Sequence, residues 1–217
     1  MSVEPRAEPV EGSLSRRVSV PSNTLVLLPH LHAHDVGACV DLLTVTDSAD
    51  QNVLTVTFEE TAADKARRWN ETLDSSPNEF AVVDVSPADV SETATTTTEN
   101  GGETAVPTVH TVSDETDLAS LGQAISRQLS NWEATDAQTV VCFQSLTPLV
   151  EAVEPRRLFR FLHILNRRLE TATAVSHFHL DPGAIDEQTI YTLVPLFDTV
   201  VDHDDAESLH ISKDGTE

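Results

Sequence analysis

Three histidines, His30, His32 and His34, alternate with Leu31 and Ala33 and run into Asp35. Side chains two apart on an extended segment point the same way, and imidazole nitrogens are metal ligands. A second alternating pair, His177 and His179 in "SHFHLD", can add ligands if its strand lies beside the first. The bland alternative is a polar loop whose histidines hydrogen-bond locally or cap a following helix. Two adjacent acids, Glu59 and Glu60, follow an apolar run. They suit either a proton-handling role or the positive N-terminus of a helix. Arg156, Arg160, His163 and Arg167 fall at i, i+4, i+7 and i+11 and make one basic stripe. That stripe either pairs with acids on neighbouring helices or contacts an acidic partner. Cys39 and Cys142 lack metal-site spacing and sit in apolar runs, which reads as two buried thiols.

The elements that must position these groups alternate. Strands are predicted at 23–29, 51–58, 79–85, 138–143, 173–180, 198–203 and 207–212, from short apolar runs. Helices are predicted at 36–45, 59–73, 116–132, 155–170 and 186–197. In the third of these, Leu118, Leu121, Ile125, Leu129 and Trp132 keep helical spacing. In the fourth, Pro155 opens an apolar face of Leu158, Phe161, Leu162, Leu165 and Leu169. Strand–helix alternation argues for an α/β sandwich with a mainly parallel central sheet. Ligands in such folds sit at the carboxyl ends of strands, which is where the first histidine cluster falls. Residues 1–20, rich in Pro, Glu and Ser, read as a disordered arm. Residues 86–107, with four consecutive threonines and Asn-Gly-Gly, read as a flexible insertion within a single domain spanning 21–213.

Charge bounds the partners. Thirty-six acids face thirteen bases for a net charge of −23, and only Lys65 and Lys213 are lysines. So acidic a surface repels itself in dilute buffer, whereas molar salt shortens the screening length to about 3 Å. The acid-rich, lysine-poor composition resembles that of proteins from salt-accumulating archaea. It disfavours nucleic-acid binding. No apolar run reaches membrane-spanning length, and the acidic, proline-bearing start is unlike a signal peptide. The expectation is a cytoplasmic protein with no membrane partner.

Two motif comparisons bear on the first cluster. "HLHAHD" is similar to the H-x-H-x-D-H signature of metallo-β-lactamase-like hydrolases, but its last two residues are swapped. A phosphate loop, G-x-x-x-x-G-K-[ST], laid on the same stretch places Pro29 and His34 on the glycines, Asp35 on the lysine and Val36 on the hydroxyl. Exchanging the lysine for Asp35 replaces attraction by repulsion. Each term is about 4 kcal/mol at about 4 Å and an effective dielectric of about 20, a swing of about 8 kcal/mol before screening.

Three further stretches carry a resemblance. "NVLTVTFEETAADKARRW" resembles the second strand and acidic pair of RecA-superfamily ATPases of the KaiC type, with Glu59 and Glu60 at the pair. "TVVCFQSLTPLVEAVEPRRLFRFLHILNRRL" resembles their Walker B strand and the helix beyond, with Gln144 at the aspartate position. "TAVSHFHLDPGAIDEQTIYTLVPLFDTVVD" resembles the strand and segment that follow, so the likeness runs from about 22 to 212. It implies a three-layer α/β/α sandwich of RecA-like P-loop NTPase topology. It also implies a degenerate form, because the Walker A lysine is Asp35 and the Walker B acid is Gln144, and with the acidic composition a haloarchaeal one. The expectation is a non-catalytic pseudo-ATPase domain with no nucleotide and no cofactor. Its role is then interaction or regulation, including signalling, with a protein partner or a second copy. The enzyme alternative is a metal-dependent hydrolase using His30, His32 and His34 with His177 and His179.

Overall fold

The computed structural model describes residues 20–28, 50–58, 60–72, 76–86, 107–204 and 208–212. Eight strands form one sheet: β1 (Ser22–Leu27), β2 (Gln51–Thr57), β3 (Glu79–Val85), β4 (Thr108–Val112), β5 (Gln138–Gln144), β6 (Val175–Leu180), β7 (Thr199–Asp204) and β8 (Ser208–Ser212). Their spatial order is β4-β3-β2-β5-β6-β1-β7-β8. The first seven strands are parallel to their neighbours; β8 runs antiparallel to β7 and ends the sheet. The described helices are α1 (Ala62–Thr72), α2 (Leu118–Trp132), α3 (Thr147–Ala152), α4 (Pro155–Thr171) and α5 (Glu187–Leu193).

Continuous burial marks the centre of the sheet. All seven residues of β2 and all six of β6 are buried, as expected for parallel strands covered on both faces. Side-chain alternation then sorts residues by layer. Leu54, Val56, Val141, Phe143, Phe178 and Leu180 point to one face and pack with Leu121, Ile125 and Leu129 of α2 and Leu158, Leu162 and Leu165 of α4. Phe143 stacks on Phe178 with ring centroids 5.3 Å apart. Val53, Val82, Val140, Cys142 and Val175 point to the opposite face, against Ala62, Ala66 and Trp69 of α1. The result is a three-layer α/β/α sandwich. β1 lies next to β6 and not β2, the strand order of RecA-like folds.

The α2 and α4 periodicities appear as predicted. All five α2 positions are buried, and in α4 Leu158, Leu162, Leu165 and Leu169 are buried while Phe161 is half-buried. Glu154 caps α4, its carboxylate accepting from Arg157 N at 3.1 Å. Two elements have no counterpart in the sequence reading. The edge strand β4 pairs only with β3 and buries Val112 alone, so it shows no apolar alternation. The short α3 buries only Leu149. The helix read at 36–45 lies outside the described residues, as do residues 1–19 of the arm read at 1–20 and residues 87–106 of the insertion read at 86–107. No described helix is long and apolar enough to cross a membrane.

Candidate functional site

The connection from β2 into α1 sets the first group of side chains. Thr61 caps α1: its Oγ1 accepts from Asp64 N at 3.1 Å and donates to Asp64 Oδ2 at 2.9 Å. The Thr61 hydroxyl, and after it Arg67, hold the Asp64 carboxyl below its ordinary value. With the helix start fixed, Ala62, Lys65, Ala66 and Trp69 share the inward face at i, i+3, i+4 and i+7. A lysine therefore occupies a core position, with 1% of its surface exposed.

Lys65 reaches the carboxyl end of the sheet and is fully engaged there. Its Nζ donates to Gln144 Oε1, at the last residue of β5. It pairs with Glu60 Oε2 at 2.6 Å, and Arg68 binds the other Glu60 oxygen at 2.9 Å. Thr57 and Glu60 add reciprocal 3.3 Å contacts between the Thr57 hydroxyl and the Glu60 backbone. Thus Gln144 and Glu60 are joined by an internal ammonium. Removing Glu60 would leave the buried Lys65 ammonium without its counter-charge, at a cost of about 3 kcal/mol.

A second polar group lies on the same sheet face. Strand register aligns Thr55 with Cys142, Cys142 with His177, and His177 with Thr24. His179 follows two residues later, beside Val26. Cys142, His177 and His179 are all buried, and their ligand atoms lie within 4.8 Å of one another. The imidazole rings meet edge to face at 4.7 Å between centroids. Burial pushes the His179 imidazole below its ordinary value, against a smaller upward pull from its hydrogen bond with Cys142. Both ring nitrogens of His177 and the Thr55 hydroxyl have no hydrogen-bond partner among the described residues.

The other sequence candidates separate clearly. Pro29, His30, His32, His34, Asp35, Val36 and Glu59 lie outside the described residues. His177 and His179 come together, as their alternation requires. Arg156, Arg160, His163 and Arg167 are exposed along α4, and none of the three arginines has an ion pair among the described residues. Arg168, on the next face, does pair, with Glu133 at 2.7 Å. Two functional positions escaped the sequence reading. Lys65 was visible only as one of two lysines, although its i+3 spacing from Ala62 on the apolar stripe was the available signal. Cys142 gave no spacing signal, because its nearness to His177 arises from pairing of β5 with β6. An open cleft of about 990 Å³, lined by Asp50, Asn78, Trp132 and Gln138 among others, lies at the opposite edge, where β2 and β5 begin. It is remote from both polar groups and from the strand ends where α/β folds bind ligands.

Residues 21–203 match a protein family described as "Family of unknown function (DUF7504)". Among curated proteins none matches. Among solved structures, the chain is similar to the Pyrococcus horikoshii OT3 protein studied as PH0250, at 11% identity and a TM-score of 0.59, over 92% of this chain and 91% of that one. It is also similar to the P. horikoshii protein PH0321, whose crystal structure is in complex with an unknown peptide. That match has 14% identity and a TM-score of 0.55, over 85% of this chain and 78% of that one. A KaiC-like protein from the same archaeon, PH0186, aligns at 13% identity and a TM-score of 0.49, over 88% and 76% of the two chains. At these identities the likeness is one of fold.

Proposed function

We propose, from the premise that the chain belongs to the DUF7504 family of unknown function, that it is a non-catalytic RecA/KaiC-like domain serving as an interaction or regulatory module. The observation that carries this reading is the seat of Lys65 on Gln144 and Glu60. An ATPase of this fold needs an acid at the end of β5 to orient Mg²⁺ and a carboxylate free to act on water. Here the first is a neutral amide that accepts from an ammonium. Glu60 is held by Lys65 and Arg68. Asp35 at the Walker A lysine position supports the same conclusion from the sequence.

The interaction role rests on α4. Its exposed Arg156, Arg160 and Arg167, without ion pairs among the described residues, form a basic stripe on a chain of net charge −23. An acidic protein surface, including that of a second copy in a salt-accumulating archaeal cytoplasm, is the complementary partner. The peptide bound to PH0321 is compatible with a protein-binding use of this fold.

Titration calorimetry with Mg·ATP and Mg·ADP in about 2 M KCl tests the central claim. The expected result is no binding heat up to millimolar nucleotide. Micromolar binding, or hydrolysis lost in Glu60→Gln, overturns it.

A further inference from the structure

The Cys142, His177 and His179 cluster is separate from the Lys65 network in chemistry and makes a different demand. A buried imidazole with neither nitrogen hydrogen-bonded is costly: each unmet polar atom takes about 1–3 kcal/mol. His177 carries two such atoms at 1% exposure. Thr55, two strands from His177 in the same register row with Cys142 between them, carries another. Buried polar atoms of native proteins are nearly always satisfied, so the two on one imidazole mark a position where a partner belongs.

The chemistry of the row identifies that partner. One thiol and two imidazoles converge from adjacent strands, with their donor atoms within 4.8 Å. In a metal site with bonds of about 2.0–2.3 Å, ligand atoms sit about 3.3–4 Å apart. Closing the cluster on an ion therefore needs shifts of about 1 Å or less, within reach of side-chain rotation. Thiolate and imidazole select soft or borderline cations over Mg²⁺ and Ca²⁺, which take oxygen ligands.

We infer that Cys142, His177 and His179 form a buried binding site for one thiophilic d¹⁰ cation, Zn²⁺ or Cu⁺. Binding converts the Cys142 thiol to thiolate and releases its proton to solvent, while each imidazole stays neutral and offers one nitrogen lone pair. The thiolate offsets one unit of cationic charge, and the nearby Lys65 ammonium is already matched by Glu60. Because the three side chains are at most 1% exposed, the ion enters as the chain folds. Its role is structural, fixing β5 to β6 on the face opposite α2 and α4.

The test is refolding of the full chain in about 2 M KCl with Zn²⁺ alone, with Cu⁺ under reducing anaerobic conditions, and with Co²⁺ as a spectroscopic substitute, followed by dialysis and elemental analysis. One equivalent of Zn²⁺ or Cu⁺ is expected to persist, the ion with the greater retention identifying the source. The Co²⁺ form is expected to show a thiolate-to-cobalt charge-transfer band. Cys142→Val and His177→Phe, which suit a buried apolar setting, should lower affinity by about 100-fold or more; Cys39→Ala should leave it unchanged. X-ray absorption on the unmodified protein keeps the proposal falsifiable if a variant fails to fold: the first shell should contain one sulfur and two nitrogens. Retention of neither ion, a shell without sulfur, or a charge-transfer band lost in Cys39→Ala and kept in Cys142→Val would each overturn the site. Nucleotide binding is read by calorimetry alone, so either proposal can fail without the other.

Discussion

His179 makes stability depend on pH with a sign the structure fixes. Its imidazole sits below the ordinary histidine value because burial disfavours the charged form. Above the unfolded value of about 6.5 both states are neutral and the full contribution is present. As pH falls below it, the unfolded chain takes up the proton first, so stability is lost toward the folded value. In chelator-containing molar KCl, denaturant unfolding should therefore weaken between about pH 6.5 and lower pH, with a slope of up to about 1.4 kcal/mol per unit from this group. The slope should lessen by that amount in His179→Gln; an identical profile in the variant would contradict the assignment. At this scale, types and alternation made His177, His179, Gln144 and Glu60 legible in the sequence. The partners of those groups were not. Lys65 contacts Gln144 across 79 positions, and Cys142 meets His177 through strand pairing. Such contacts are set by topology, which local periodicity does not encode.

Thr173 ends α4 with φ at 53°. Its N–H donates to Glu170 O at 3.0 Å and the following Ala174 N–H donates to Leu169 O at 3.0 Å, a Schellman-like closure whose left-handed position usually holds glycine. A β-branched residue is strained there. Thr173→Gly should stabilise the fold by about 1 kcal/mol, read as a raised denaturant midpoint. Because Gln138 Nε2 donates to the Thr173 backbone carbonyl at 2.9 Å, that contact survives the change. Elements with a full apolar face were legible from sequence: the buried strands β2, β5 and β6, and helices α2 and α4. β4 was not, because an edge strand pairs through its backbone and asks little of its side chains. The helix read at 59–73 begins instead at Ala62, since Thr61 supplies the cap.

Across the whole molecule, charge and topology act on different properties. The seven-strand parallel arrangement follows from hydrophobic pattern and is indifferent to surface sign. The net charge of −23 acts on compactness. Raising KCl from about 0.1 M to about 2 M should raise the melting temperature monotonically as screening shortens from about 10 Å to about 2 Å. A melting temperature that is flat or falls with salt would show that the acidic surface carries no such penalty. The buried seat of Lys65 has a practical corollary. Of the two lysines in 217 residues, one has its Nζ shut inside the sandwich and engaged by Gln144 and Glu60. Amine-reactive dyes and cross-linkers applied to the folded chain should therefore spare Lys65. Acylation at position 65 becomes a chemical reporter of opening between α1 and the sheet.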